Sequence, residues 1–135
     1  ADPGPECDGM SGPVAAALAD APALGEQYAA FRDAAHAALG EGLTLQVRHA
    51  VAEVHGLASA PGDSAPPAGD AAPEAVLAYA RRMPFEHTAI TDDEAAAIVA
   101  ELGEDGYVAL SVVAALADAE CRAALVDLPG LASGA

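Results

Sequence analysis

Leu24, Tyr28, Phe31, Ala35 and Leu39 recur at spacings of three and four residues, and Leu43, Val47, Val51, Val54 and Ala58 repeat that spacing downstream. This period lines each set along one stripe of an α-helix, whereas a half-buried strand would alternate. Composition points the same way. The chain is 53% hydrophobic, but much of that is alanine; aromatics make up 4% and there is no tryptophan. Alanine leads the helix scale, is depleted in strands and suits closely packed helices. At 135 residues there is room for one domain and for a core that needs no disulfides. The expected fold is all-α, a single-domain bundle of about six helices.

Prolines, glycines and caps divide the chain. Residues 1–13 are rich in Pro, Gly and acidic residues and read as a poorly ordered leader, with one helical domain over 14–135. Residues 14–21 form a short helix ended by Pro22. The stripes above predict helices over 24–42, stopped by Gly40 and Gly42, and over 43–59. The segment 59–73 is a loop, because its prolines and glycines forbid continuous helix. The next helix begins near Pro73 and stops before Pro84. Thr91 caps the following one, with Glu94 completing a capping box, and Gly103 ends it. Residues 107–130 are the longest apolar stretch and read as the central buried helix.

The formal net charge of −16 argues against nucleic acid and anionic membranes, both of which reward basic patches. No run approaches the ~18 apolar residues of a membrane span, and the amino end lacks the basic and apolar regions of a signal peptide. A cytoplasmic location is the default. Cys7 and Cys121 are the only cysteines and show no metal-ligand spacing; a disulfide between them is not favoured.

Arg48, His49, Glu53 and His55 crowd into barely two helical turns. On a helical wheel His49 and Glu53 form an i,i+4 pair on the side away from the apolar stripe, with Gln46 beside them. Arg48 and His55 share a third side at the core boundary. The pair reads either as an acid–base dyad, a carboxylate orienting an imidazole of near-neutral pKa, or as a solvated helix pair worth a few tenths of a kcal/mol. A metal site from His49, Glu53 and His55 is disfavoured, since His55 points away from Glu53. Glu86 and His87 lie in a loop where a functional group is plausible. Arg81 and Arg82 read as partners of surrounding acids, and His36 as a surface residue on the polar side of its helix.

Three stretches, in order, resemble the carboxymuconolactone decarboxylase and alkylhydroperoxidase-D-like superfamily. FRDAAHAALGEGLTLQVRHAVAEVHG is similar to its "R-x-A-x-x-N-G-C" helix and the turn before it. LAYARRMPFEHTAITDDEAAAIVAELGEDGYVAL is similar to its "I-T-D-x-x-V-x-x-L" segment, and VVAALADAECRAALVDLPG to its closing helix, with Arg122 on the arginine of that helix. The resemblance covers roughly residues 24–130. It implies a helical homo-oligomer (dimer, trimer or hexamer) acting on a small molecule, with no cofactor and no nucleic-acid or membrane partner. It also implies a reactive C-x-x-C pair, but Leu57 and Ala60 stand at the two cysteine positions. The expected histidine falls on Ser64 and the upstream glutamate on Leu45.

Leu and Ala cannot replace a thiolate nucleophile. The resemblance to the decarboxylase branch, which needs no cysteine pair, implies lyase- or isomerase-type proton transfer on a small organic acid or lactone. His49, Glu53 and His55 are its candidate catalytic residues, Arg48 would hold a substrate carboxylate, and Leu57 and Ala60 would border the substrate. The alternative is a non-catalytic oligomer that binds or scaffolds. Arg122 is expected to pair with acidic residues in a structural role. Hydroperoxide turnover with a dithiol donor is expected to be absent; turnover above the uncatalysed rate would contradict the loss of thiol chemistry.

Overall fold

Pro13 and Pro22 each sit at the first turn of a helix, where a missing N–H costs nothing and the fixed φ is already helical. In the computed structural model, which describes residues 12–63 and 72–134, they open α1 (Pro13–Ala17) and α2 (Pro22–Leu39). Pro22 therefore starts a helix as well as separating it from the one before. After α3 (Glu41–Val54) come α4 (Glu74–Glu86), a 3₁₀ turn (His87–Ala89), α5 (Asp92–Leu125) and α6 (Leu128–Gly134). The described residues form an all-helical bundle of six α-helices, as the periodicity predicts. No helix among them is long and apolar enough to cross a membrane.

The boundaries follow from local chemistry. Gly40, at φ 99°, is the single residue between α2 and α3, a conformation that suits glycine. At the other end of α3, Gly56 adopts φ 79°; its N–H donates to Glu53 O at 3.0 Å, and that of Leu57 reaches Ala52 O at 2.9 Å. This is a Schellman ending, with Leu57 as the apolar residue that follows it onto the core. Thr91 and Glu94 form the expected capping box. Gly103 breaks α5 as expected, with φ 81° and ψ 170°, but the helix resumes at once.

Two expectations are corrected. The helix expected to stop before Pro84 runs on to Glu86, with Pro84 buried inside it. Arg122 of α5 donates to the Pro84 carbonyl at 2.8 Å and so supplies a partner where the last turn is weakened. On α2, the stripe from Leu24 to Leu39 is buried only in part. Ala35 is in the core, Leu39 packs against it and Tyr28 reaches Glu120, but Leu24 and Phe31 are 53% and 55% exposed, while Gly25, Ala29 and Arg32 face inward. The helix is turned so that Gly25 meets Leu18 and Arg32 reaches a buried acid.

The core gathers Val47 and Val51 of α3, Val76 and Ala80 of α4, and Ile98, Leu110, Val113, Ala114 and Ala117 of α5. The later part of α5 is the central helix, packed against α2, α3 and α4. Within it Glu120 is 1% exposed and bound by arginines from two other helices. Arg32 Nε lies 2.6 Å from Glu120 Oε2 and Arg48 Nη1 2.5 Å from Oε1, while the Tyr28 hydroxyl also donates to Oε2. Burial by itself would raise the Glu120 carboxyl, but the Arg32 hydrogen bond and the Arg48 charge outweigh it and hold the group below its ordinary value. Glu120→Ala leaves two buried guanidiniums without their carboxylate and is expected to cost about 3–5 kcal/mol in urea unfolding. A loss below about 1 kcal/mol would show that the helices do not depend on it.

Candidate functional site

Arg32 and His36 are one turn apart on the inward side of α2, and Glu41, Thr44 and Arg48 step along the facing side of α3. With Gly62 and Asp63 of the turn after α3, they line a half-open cavity of about 360 Å³. The turn is fastened from below. Arg48 Nε lies 3.1 Å from Asp63 Oδ2, and its Nη2 donates to Pro61 O at 2.7 Å. Ser59 Oγ donates to Asp63 O at 2.9 Å. Burial would lower the Arg48 guanidinium, yet the Glu120 charge and hydrogen bond hold it raised, so its charge is fixed.

His36 has a different standing. Its Nε2 is shut off from water and has no hydrogen-bond partner among the described residues. Its carbonyl accepts from Gly40 N at 2.9 Å and Thr44 Oγ1 at 3.2 Å, which fixes the end of α2 against α3. Burial first, then the positive charges of Arg32 and Arg48, push the imidazole below its ordinary value; Glu120 and Asp33 oppose them without reversing the shift. An unpartnered nitrogen of a neutral imidazole can accept a proton or a hydrogen bond once a side-chain movement opens it to the cavity. The expectation that His36 is a surface residue is thus corrected. The signal that could have found it is the run Gly25, Ala29, Arg32 and His36, whose small members mark the inward face.

The residues singled out from the sequence are dispersed. His49 Nε2 and Glu53 Oε2 lie 3.5 Å apart, a loose contact between a partly exposed imidazole and a half-exposed carboxylate. Arg81 Nε stands 3.9 Å from Glu53, and Arg81 Nη1 3.7 Å from Glu74. Neither His49 nor Glu53 lines the cavity. The Nδ1 of His49 is buried and unpartnered among the described residues. His55 lies elsewhere, as the wheel implied. Its Nε2 is 2.7 Å from Asp118 Oδ1, and its ring meets Phe85 edge-on at 5.1 Å.

Arg48 is not at the core boundary but buried, 1% exposed, with Nε, Nη1 and Nη2 all engaged by groups of the chain itself. It is part of the cavity floor, not a free clamp for a carboxylate. Leu57 closes α3 and Ala60 is buried in the core; neither lines the cavity, whereas Leu45 does. Ser64 and Cys7 lie outside the described residues. Cys121 is buried, and burial pushes its thiol up to about 11, which makes it a poor nucleophile.

Arg82 pairs with Glu94 and with Glu86 at 3.8 Å, and Arg122 with Asp118 at 2.9 Å. Glu86 ends α4 and His87 opens the exposed 3₁₀ turn. Among the described residues no group of three or more His, Cys, Asp or Glu side chains could hold a metal ion.

The depressed His36 value carries a sign. Between it and the ordinary value of 6.5 the unfolded chain binds more protons than the folded one. The stability from keeping His36 neutral is complete above the ordinary value and is lost as pH falls through the folded one. The urea midpoint should therefore drop as pH falls below the ordinary value of 6.5, and drop less in His36→Gln. Equal slopes in the two proteins would contradict the assignment. No family model matches the chain, and no curated protein or solved structure matches it.

Proposed function

We propose that the protein is a cysteine-free relative of the carboxymuconolactone decarboxylase and alkylhydroperoxidase-D-like superfamily that moves a proton on a small molecule bound between α2 and α3. The observation that carries this reading is that His36 lines a cavity of about 360 Å³ and has a ring nitrogen, Nε2, without a hydrogen-bond partner among the described residues. His36 is the base. A proton taken from a substrate carbon or hydroxyl goes to Nε2, and the nearby Asp33 charge favours the imidazolium that forms. The Arg32–Glu120–Arg48 floor keeps the cavity in place without taking part in the transfer. Leu45 lends support, because the resemblance puts the proton-moving glutamate of the family at that position, and it lines the same cavity.

The His49–Glu53 pair is the second candidate centre, supported by its 3.5 Å contact and by the unpartnered His49 Nδ1. The exposed Leu24 and Phe31 on α2 support a homo-oligomer, and with it the non-catalytic alternative.

Deuterium exchange from heavy water into the carbon next to the carbonyl separates these readings. It is to be followed by proton NMR on a panel of small lactones and keto acids. Wild type is expected to accelerate exchange for at least one member, and His36→Gln to lose a factor of about 10² to 10⁴ while staying folded. Loss in His49→Ala with His36→Gln unaffected would move the centre to the helix pair. Absence of exchange across the panel would favour the binding module.

A further inference from the structure

Gly103 divides α5 into two pieces with very unequal anchorage. Residues 92–102 bury a single side chain, Ile98, whereas the piece beyond the glycine buries Leu110, Val113, Ala114, Ala117 and Cys121 among others. A segment with few buried apolar contacts opens at low free energy unless a stiffer element carries it along. Gly103 weakens that coupling, because its φ of 81° and ψ of 170° interrupt the helical geometry between the two pieces.

The interruption also folds one piece onto the other. A Cβ built on Gly106 would stand 2.6 Å from the Cβ of Leu102. Side chains four apart on a regular helix have Cβ atoms about 5–6 Å apart. The kink has therefore brought Leu102 down onto the Gly106 backbone, and only a glycine leaves room for it. At the far end of the first piece, Arg82 of α4 pairs with Glu94, and its Nη2 donates to Ala89 O at 3.1 Å. Between these two attachments lies a cleft of about 450 Å³, lined by Tyr79 and Met83 of α4, Asp92 and Ala95 of the first piece, and Tyr107 beyond the kink. Its inner wall is fixed: Tyr79 is hydrogen-bonded to Ser111 Oγ at 2.8 Å and meets the Tyr107 ring edge-on at 5.6 Å.

We infer that residues 92–102 are a hinged lid over this cleft: they swing about Gly103, seated by Leu102 on Gly106 and latched by Arg82 on Glu94. The device is separate from the α2–α3 cavity and does not depend on its role.

Hydrogen exchange on the whole chain, read by mass spectrometry, tests the hinge, and the rate at which dilute hydrogen peroxide oxidises Met83 tests the lid. Residues 92–102 are expected to exchange as one unit, ahead of residues 107–125. Arg82→Gln removes the latch and should speed exchange of 92–102 by about two- to fivefold, the worth of a surface ion pair, and leave 107–125 unchanged. Gly106→Ala is the sharper variant. Helix propensity alone would make alanine slow the exchange. Wedged against Leu102, it should instead speed exchange of 92–102 by about tenfold, with the helical circular dichroism retained. The same substitution should have little effect in a Leu102→Gly background, where the wedge meets no Cβ. Met83 oxidation should rise with exchange in both opened variants.

Exchange of 92–102 and 107–125 as one cooperative unit would overturn the hinge. Slower exchange in Gly106→Ala, or loss of its helical signal, would overturn the seat at Leu102. Faster exchange of 92–102 with Met83 oxidation unchanged would overturn the lid.

Discussion

A single carboxylate, Glu120, sits between Arg32 and Arg48 with almost no exposure, and three helices are arranged around it. Such a cluster is a poor source of net stability, since bringing three charges out of water costs much of what their attraction returns. Its effect is on arrangement. Arg32 reaches Glu120 with α2 turned so that Leu24 and Phe31 of its apolar stripe are left outside, and Arg48 with α3 turning a charged residue inward. The rotation that brings these groups together also points His36 into the space between the two helices. The same positive charges then help burial keep that imidazole neutral. Core architecture and site electrostatics thus have one origin.

Several features set by neighbours in sequence are present as expected. The capping box at Thr91 and Glu94 depends on neighbours three residues apart, and it formed as expected. The glycine at 103 interrupts α5 because its backbone takes a positive φ that other residues resist. Val47 and Val51 are buried as their helical spacing predicts. The i,i+4 proximity of His49 and Glu53 is likewise a property of any helix. Helical spacing says only that two side chains are neighbours, and their neighbourhood, a partly open surface beside α4, belongs to the packing.

The errors share a cause. Leu24 and Phe31 score as core on hydropathy, and Gly25, Ala29 and Arg32 do not, yet the latter are inside. Gly25 lets α2 lie against Leu18, and a distant acid on α5 accepts the arginine; neither advantage is visible within α2 itself. Pro84 is a similar case. Its tendency to end a helix is intrinsic, and it is offset by burial and by an arginine 38 residues away that binds its carbonyl.

The sequence by itself determined that this chain is helical and where most of its helices begin and end. These follow from propensity, periodicity, caps and residue identity, which act over a few positions. Only the tertiary structure decided which face of α2 is buried, that Arg48 is an internal partner of Glu120 and Asp63, and that His36 borders a cavity with an unpartnered nitrogen. Those depend on residues 72 and 88 positions apart in the chain meeting in space. Charge pairing at that separation is settled by how the helices pack, and no local pattern encodes it.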